Sequence, residues 1–258
     1  GIMRHRSFAV GMFTSFILGF GLYGSVFVFP VFCQNLLGFT AQQTGELLFP
    51  GGLCTIFMMP FIGKMLNRGI PAQFMATIGM FLFFVFPFML SNSTLETGEI
   101  NVLVPLLIRG VGMALLFVPL TTLAIADLKG AEMGQGTGLN NMMRQLGGSF
   151  GIAALTTIIH IRQASHRSNL LTNINPYNNA FIQRMQLLEH GFMAKGKSAL
   201  DATQMAYHAI EGAVVRQSLL LTYNDAYLFS GLILMFSIPL LYLQPFTKSK
   251  VRMPADAH

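Results

Sequence analysis

Charged residues are scarce in this sequence. They make up 10% of its 258 residues, 16 Lys and Arg against 10 Asp and Glu, where an ordinary soluble domain carries roughly 25%. So few charges cannot dress a water-facing surface, which excludes a soluble globular enzyme, a disordered chain and a coiled coil. Cysteine is nearly absent. Cys33 and Cys54 are too few for a disulfide framework, and both fall in or beside apolar runs, where they read as small buried side chains. The sequence has no HExxH, and no intramembrane Ser/His pair stands out, so no catalytic residue is assigned. His166, His190 and His208 are scattered without ligand spacing, so no metal is assigned. No basic stripe interleaved with aromatics occurs, which excludes nucleic acid as a partner. The net charge of +6 is instead the excess that basic cytoplasmic loops leave in a membrane protein.

Apolar residues fill the place that charge leaves. They are 53% of the chain, with 24 Phe and 17 Met. A bilayer-spanning helix needs about 20 mostly apolar residues, and six runs qualify: 8–32, 44–63, 72–90, 102–126, 137–160 and 224–243. The expected fold is an all-α integral membrane bundle of six transmembrane helices. The runs are continuous rather than alternating at period two, which excludes a β-barrel. The first is too long for a signal peptide and has no small-residue cleavage site. The chain starts at Gly1 rather than Met, as a fragment of a longer protein or a processed chain would. The organisation that follows is five helices over 1–160, an extracytoplasmic loop over 161–223, the last helix over 224–246 and a cytoplasmic tail over 247–258.

Lys and Arg in short loops set the orientation. With the N-terminus inside, the inner segments hold Arg4, Arg6, Lys64, Arg68, Lys129, Lys248, Lys250 and Arg252, and the short outer loops 33–43 and 91–101 hold neither residue. The long outer loop has its own pattern. Phe181, Ile182, Met185, Leu188, Phe192 and Met193 mark an amphipathic helix over 177–194. Ser198 can cap a second, with Leu200, Met205, Ile210 and Val214 at helical spacing. These two helices, joined near Lys195 to Lys197, form a packed surface excursion or a docking site for a partner protein.

Polarity distinguishes the runs. The third, with FLFFVFPFML, and the sixth are apolar on every side and belong at the lipid-facing periphery; the first, second, fourth and fifth belong inside. The fifth is the most polar: Thr137, Asn141, Arg144, Gly148 and Gly151 share one face, flanked by Asn140 and Gln145. Gly147 and Gly151 form a GxxxG pair, which permits close helix approach. These glycines, with Pro50 and Pro119, read as packing positions or as hinges. Arg144 stands about 12 Å along its run from the inner end, and Arg109 about 10 Å from the outer. A charge at that depth needs a reason. It can bridge helix-end carbonyls or a carboxylate, or it can meet an anion or substrate or tune an acid. Midplane acids are missing: Glu46, Asp127 and Asp225 all sit at run ends.

Several segments resemble one family: RSFAVGMFTSFILGFGLYGSVFVFPVFCQNLLGFTAQQTGELLFPGG, RGVGMALLFVPLTTLA, NNMMRQLGGSFGIAALTT and VVRQSLLLTYNDAYLF. PFIGKMLNRGIP resembles the basic loop motif of major facilitator transporters, with Gly63, Lys64 and Arg68 on the cytoplasmic side. The whole resembles the C-terminal six-helix half of a fourteen-helix drug:proton antiporter of the EmrB/QacA type. The resemblance implies proton-driven export of hydrophobic or cationic drugs across the bacterial inner membrane, with a proton gradient and no cofactor. It implies a lipid bilayer, small hydrophobic substrates and the N-terminal half as partners, and in double-membraned bacteria a periplasmic adaptor and an outer-membrane channel. Tyr23, Phe27, Gln34, Asn140, Asn141, Arg144 and Gln145 become candidates for the transport cavity, with Met142 in its apolar wall. The alternatives are a permease for a small metabolite, a non-transporting sensor or scaffold, and an intramembrane enzyme.

Overall fold

The computed structural model describes residues 6–125, 131–175 and 177–242. Arg4, Asp127, Lys129 and the tail with Lys248, Lys250 and Arg252 lie outside the described residues. The described chain is helical: α1 Arg6–Asn35, α2 Ala41–Asn67, α3 Ala72–Leu90, α4 Glu99–Ile125, α5 Ala131–Leu171, α6 Asn179–Ala194, α7 Ala199–Phe236 and the short α8 Ile238–Leu241. Local chemistry sets the breaks. Thr40 and Gln43 form a capping box at the start of α2: the Thr40 hydroxyl accepts from the Gln43 N–H at 3.2 Å, and the Gln43 side chain accepts from the Thr40 N–H at 2.9 Å. Gly69, at φ +89°, ends the α2 turn ahead of Pro71. Gly196, at φ +82°, separates α6 from α7, where Ser198 accepts from the Asp201 N–H as expected of a cap.

Five helices among the described residues are long and apolar enough to cross a membrane: α1 from Val10, α2, α3, α4 and α7. The fifth expected span lies inside α5, which is long enough but not apolar enough, because Thr137, Asn140, Asn141, Arg144, Gln145 and Ser149 interrupt it. It is held by protein instead, packed along α1.

Two helices run further than their apolar patterns. α5 has 41 residues and α7 has 38, about 62 and 57 Å at 1.5 Å per residue, roughly twice the hydrocarbon thickness. The expected boundaries at 160 and 223 therefore fall inside continuous helices. Polarity changes there, but the stretches HIRQASHRSNLL and LLLTYNDAYLF contain no Pro or Gly to end a helix. The helix capped by Ser198 and the last span are one element. The end of α5, α6 and the start of α7 form a protruding unit, fastened by ion pairs of Arg167 with Glu211 and of Arg162 with Asp225 (3.6 Å) and by a hydrogen bond between His166 Nε2 and Asp225 Oδ2 (2.8 Å).

The core has two parts. One, toward the α2–α3 turn, gathers Leu18, Ile62, Met75, Met80, Phe83 and Leu116. The other, toward the protruding unit, gathers Phe29, Phe32, Phe86, Leu106, Tyr223 and Tyr227. The Phe32 ring meets Tyr223 and Tyr227 edge-on, at 5.5 and 5.7 Å between centroids. The third span is not lipid-facing all round: Met75, Gly79, Phe83 and Phe86 of α3 are buried, while Phe74, Ile78, Phe81 and Phe88 form its exposed stripe. α2, expected inside, is the least buried span, showing Phe49, Ile56, Phe57 and Phe61. An apolar composition says that a helix avoids water, not which of its faces meets protein.

Glycines set the helix spacings. A Cβ on Gly51 of α2 would stand 2.8 Å from the Leu106 carbonyl of α4, and Gly110 returns the contact against Gly51. The Thr55 hydroxyl bridges the same seam, shared between the Gly110 carbonyl (2.9 Å) and the Gly51 carbonyl (3.1 Å). Gly52, one residue on, faces open space. Gly51→Ala should cost about 1–3 kcal/mol by overpacking, whereas Gly52→Ala should be neutral or gain up to about 1 kcal/mol. Thermal unfolding of the two purified variants checks the contrast; equal losses would remove the packing role given to Gly51.

Candidate functional site

The polar face of α5 lies against α1, and the two helices run parallel. At the near end the Ser15 hydroxyl donates to Asn140 Oδ1, with both side chains buried. Next come backbone contacts that only glycine allows: a Cβ on Gly19 would overlap the Arg144 carbonyl, one on Gly147 the Phe16 carbonyl and one on Gly151 the Phe20 carbonyl. Beyond them Gly24 fits against Leu155. The GxxxG pair of α5 is thus a docking strip for the carbonyl ridge of α1.

Arg144 leaves this strip toward α4. Its Nη2 donates to Asn141 Oδ1 at 2.5 Å, and its guanidinium carbon stands 4.4 Å from the centroid of the Phe117 ring. Its buried Nε has no hydrogen-bond partner. Among the described residues no acid pairs with it, so the ring and the amide do the work that a carboxylate would do elsewhere.

The other cavity candidates divide by exposure. Tyr23, Phe27 and Gln34 share one exposed stripe of α1. The Tyr23 ring lies over Gly148, where a Cβ would come within 2.7 Å. Tyr23 and Gly148, with Gln145, Ser149 and Ile152, bound a shallow cleft of about 250 Å³; Phe27 and Gln34 lie further along the exposed stripe of α1. Met142 and Phe150 continue the exposed face of α5, and Phe150 packs on Phe16 at 5.8 Å. Asn140 does not reach this face; it is buried and committed to Ser15. The face is open, not an enclosed chamber.

Arg109 is elsewhere. It is 7% exposed, eight residues before Phe117 on α4, with its guanidinium carbon 5.4 Å over the Phe86 ring of α3. Nε, Nη1 and the hydroxyl of buried Tyr227 lack hydrogen-bond partners. The loop-motif residues Lys64 and Arg68 are exposed at the end of α2, where the Arg68 N–H donates to the Lys64 carbonyl at 3.0 Å. A Cβ on Gly63 would meet nothing. Pro50 and Pro119 lie inside α2 and α4.

Two strings match catalytic patterns by letter alone. GGSFG at 147–151 has GxSxG spacing, but Ser149 lies within α5 and donates to the Gln145 carbonyl at 3.2 Å, not on a strand-to-helix elbow. GFMAKGKS at 191–198 has phosphate-loop spacing, but Gly191 is inside α6 and no strand precedes it among the described residues. Sequence reading missed Ser15, Thr55 and Phe117. The first two carry a signal, hydroxylated residues in an apolar run; Phe117 carries none among 24 phenylalanines.

The family model of the Major Facilitator Superfamily matches residues 1–152. An uncharacterized MFS-type transporter of Bacillus subtilis, YhcA, is 27% identical over 253 residues, which is 97% of this chain and 47% of that protein. The fatty acid resistance protein FarB of Neisseria gonorrhoeae is 27% identical over 94% of this chain and 46% of its own length. The multidrug export protein EmrB of Haemophilus influenzae is 32% identical over 69% of this chain and 35% of its own. The chain spans less than half the length of these relatives.

The Ser15–Asn140 bond should show as coupling. In a double-mutant cycle of Ser15→Ala and Asn140→Ala, unfolding in detergent should give an interaction energy of about 0.6 kcal/mol, and no more than about 1.7. Strict additivity would mean that the bond does not hold α1 to α5.

Proposed function

The chain belongs to the major facilitator superfamily, and from that premise we propose that it forms the C-terminal six-helix half of a proton-driven exporter of hydrophobic or cationic compounds. The half rocks against an N-terminal half by alternating access. The observation that carries this reading is Arg144: a guanidinium at the α1–α5 seam, balanced by Asn141 and Phe117 with no acid paired to it among the described residues. That arrangement leaves a positive centre free to respond when an acid of the other half loses or gains its proton. Tyr23, Phe27, Gln34, Gln145 and Ser149 then face the central cavity, an apolar wall with few amides that suits varied substrates. The relatives named for multidrug export and fatty acid resistance support the class of cargo.

In this reading Lys64 and Arg68 mark the cytoplasmic side of the bacterial inner membrane, and the protruding unit stands outside, positioned to meet a periplasmic adaptor and an outer-membrane channel. The proton gradient is the energy source, and no cofactor takes part.

Arg144→Ala should lower proton-driven efflux of a cationic dye from loaded cells by at least about tenfold, the scale of one lost charge-assisted interaction, with membrane abundance unchanged. Arg144→Lys should restore part of it. Normal efflux in Arg144→Ala would reduce Arg144 to a packing residue, and efflux untouched by a protonophore would remove proton coupling. For orientation, Lys197→Cys, chosen because Ser198 caps α7, should react with an impermeant maleimide from the outer face of intact spheroplasts. Reaction only after lysis would invert the topology.

A further inference from the structure

The protruding unit encloses a groove of about 410 Å³ between the end of α5, α6 and the start of α7, within the ~300–1,000 Å³ range of small-molecule sites. Its body is apolar: Leu170, Ile174, Phe181, Leu188, Ile210 and Val214. Its polar groups are fewer, and they differ in availability. Asn178 is committed to structure, donating to the Asn173 carbonyl at 2.8 Å and accepting from the Ala180 N–H at 3.0 Å as the cap of α6. Arg184 is not. Of the unit's four arginines, Arg162 pairs with Asp225, Arg167 with Glu211, and Arg216 donates to the Leu36 carbonyl. Arg184 has no hydrogen-bond or ion-pair partner among the described residues. Glu189, the acid of α6, lies about 140° around that helix from it. The side-chain amides of Asn173 and Gln217 line the same groove.

We propose that this groove binds a single-chain anionic amphiphile, its carboxylate on Arg184 and its alkyl chain along the apolar body. The charge decides against a cationic ligand, since a free guanidinium repels one. The apolar body decides against a small hydrated anion, which would leave it unfilled. The carboxylate accepts two N–H bonds from the guanidinium, and the chain withdraws from water into a slot that α5 and α7 carry up from the bilayer. The site is distinct from the α1–α5 seam and does not depend on the transport reading.

The test uses the full protein in zwitterionic lipid nanodiscs, titrated with 11-(dansylamino)undecanoate and followed by dansyl fluorescence after subtraction of empty nanodiscs. Saturable binding is expected, weakened about tenfold in Arg184→Gln, largely restored in Arg184→Lys and lost in Ala213→Phe, which fills the groove. A dansylated alkylammonium of the same length should not saturate. Wild-type affinity in both Arg184→Gln and Ala213→Phe would overturn the proposal. So would equal affinity for the ammonium probe, absence of saturable binding, or loss of binding in Arg144→Ala alone, which would assign the probe to the seam. Because Arg184 is exposed, Arg184→Gln keeps the fold, and its circular dichroism serves as the control.

Discussion

Two backbones in near contact, α1 against α5, are the constraint on which the rest depends. In lipid there is no hydrophobic force to drive one helix onto another, since acyl tails are as apolar as leucine. What remains is dispersion at short range and the few polar bonds that bridge the gap. Gly19, Gly147 and Gly151 let carbonyls of each helix reach the backbone of the other, and the Ser15–Asn140 bond closes one end of the strip. This contact is what allows α5 to be polar. A helix that falls short of the hydropathy of a membrane span is tolerated in the bundle because α1 covers its glycine strip and Asn140, while Gln145 and Ser149 are left on the open cleft.

The two arginines within the membrane helices, Arg109 buried and Arg144 half-buried, follow from the same scarcity of acid. An arginine at the centre of a membrane helix costs about 2.5–3.5 kcal/mol on the insertion scale. A cation–π contact returns about 0.5–2 kcal/mol, the more the drier the site, and an interhelical or local amide bond adds a similar or smaller amount. Arg144 has both, through Phe117 and Asn141. Arg109 has the Phe86 ring but two unpartnered nitrogens, beside the unpartnered hydroxyl of Tyr227. The two are therefore unlike in standing. One is balanced where α5 meets α4, next to an exposed face; the other is sealed inside the bundle. Depth read from sequence treats them alike, and only their neighbours separate them.

Much of the fold was legible because bilayer thickness and apolar length are locked together. The third span is α3 residue for residue, and the cap at Ser198 and the amphipathic helix before it are where composition puts them. What was not legible is what polarity does not control. The helices of α5 and α7 pass the expected membrane boundary without a break, since a change from apolar to polar residues does not stop hydrogen bonding along a helix; only Pro, Gly or a competing cap does. In the candidate site the polar stripe of α5 was readable from its spacing, but its partners were not. Asn140 reads as a cavity residue by type and proves to be a buried bond to Ser15, because a face of 100° holds both seam and surface positions.

The uninterrupted helices have a mechanical consequence. α5 carries Arg144 and the glycine strip at one level and the groove with its ion pairs at another, and no proline or glycine lies between Gly151 and Leu171. Kinks in membrane helices arise at such residues or where the hydrogen-bond ladder is broken; the Gly151–Leu171 stretch offers none of the residue signals. A tilt of α5 at the seam must then move its protruding end, and the ties of Arg167 to Glu211 and of His166 and Arg162 to Asp225 pass that motion to α7. The glycine contact that fixes the bundle is at the same time the fulcrum of a lever long enough to leave the membrane. A change at Arg144 and a change in the groove are thus read by the same rigid element, and the stiffness of its last twenty residues is what couples them.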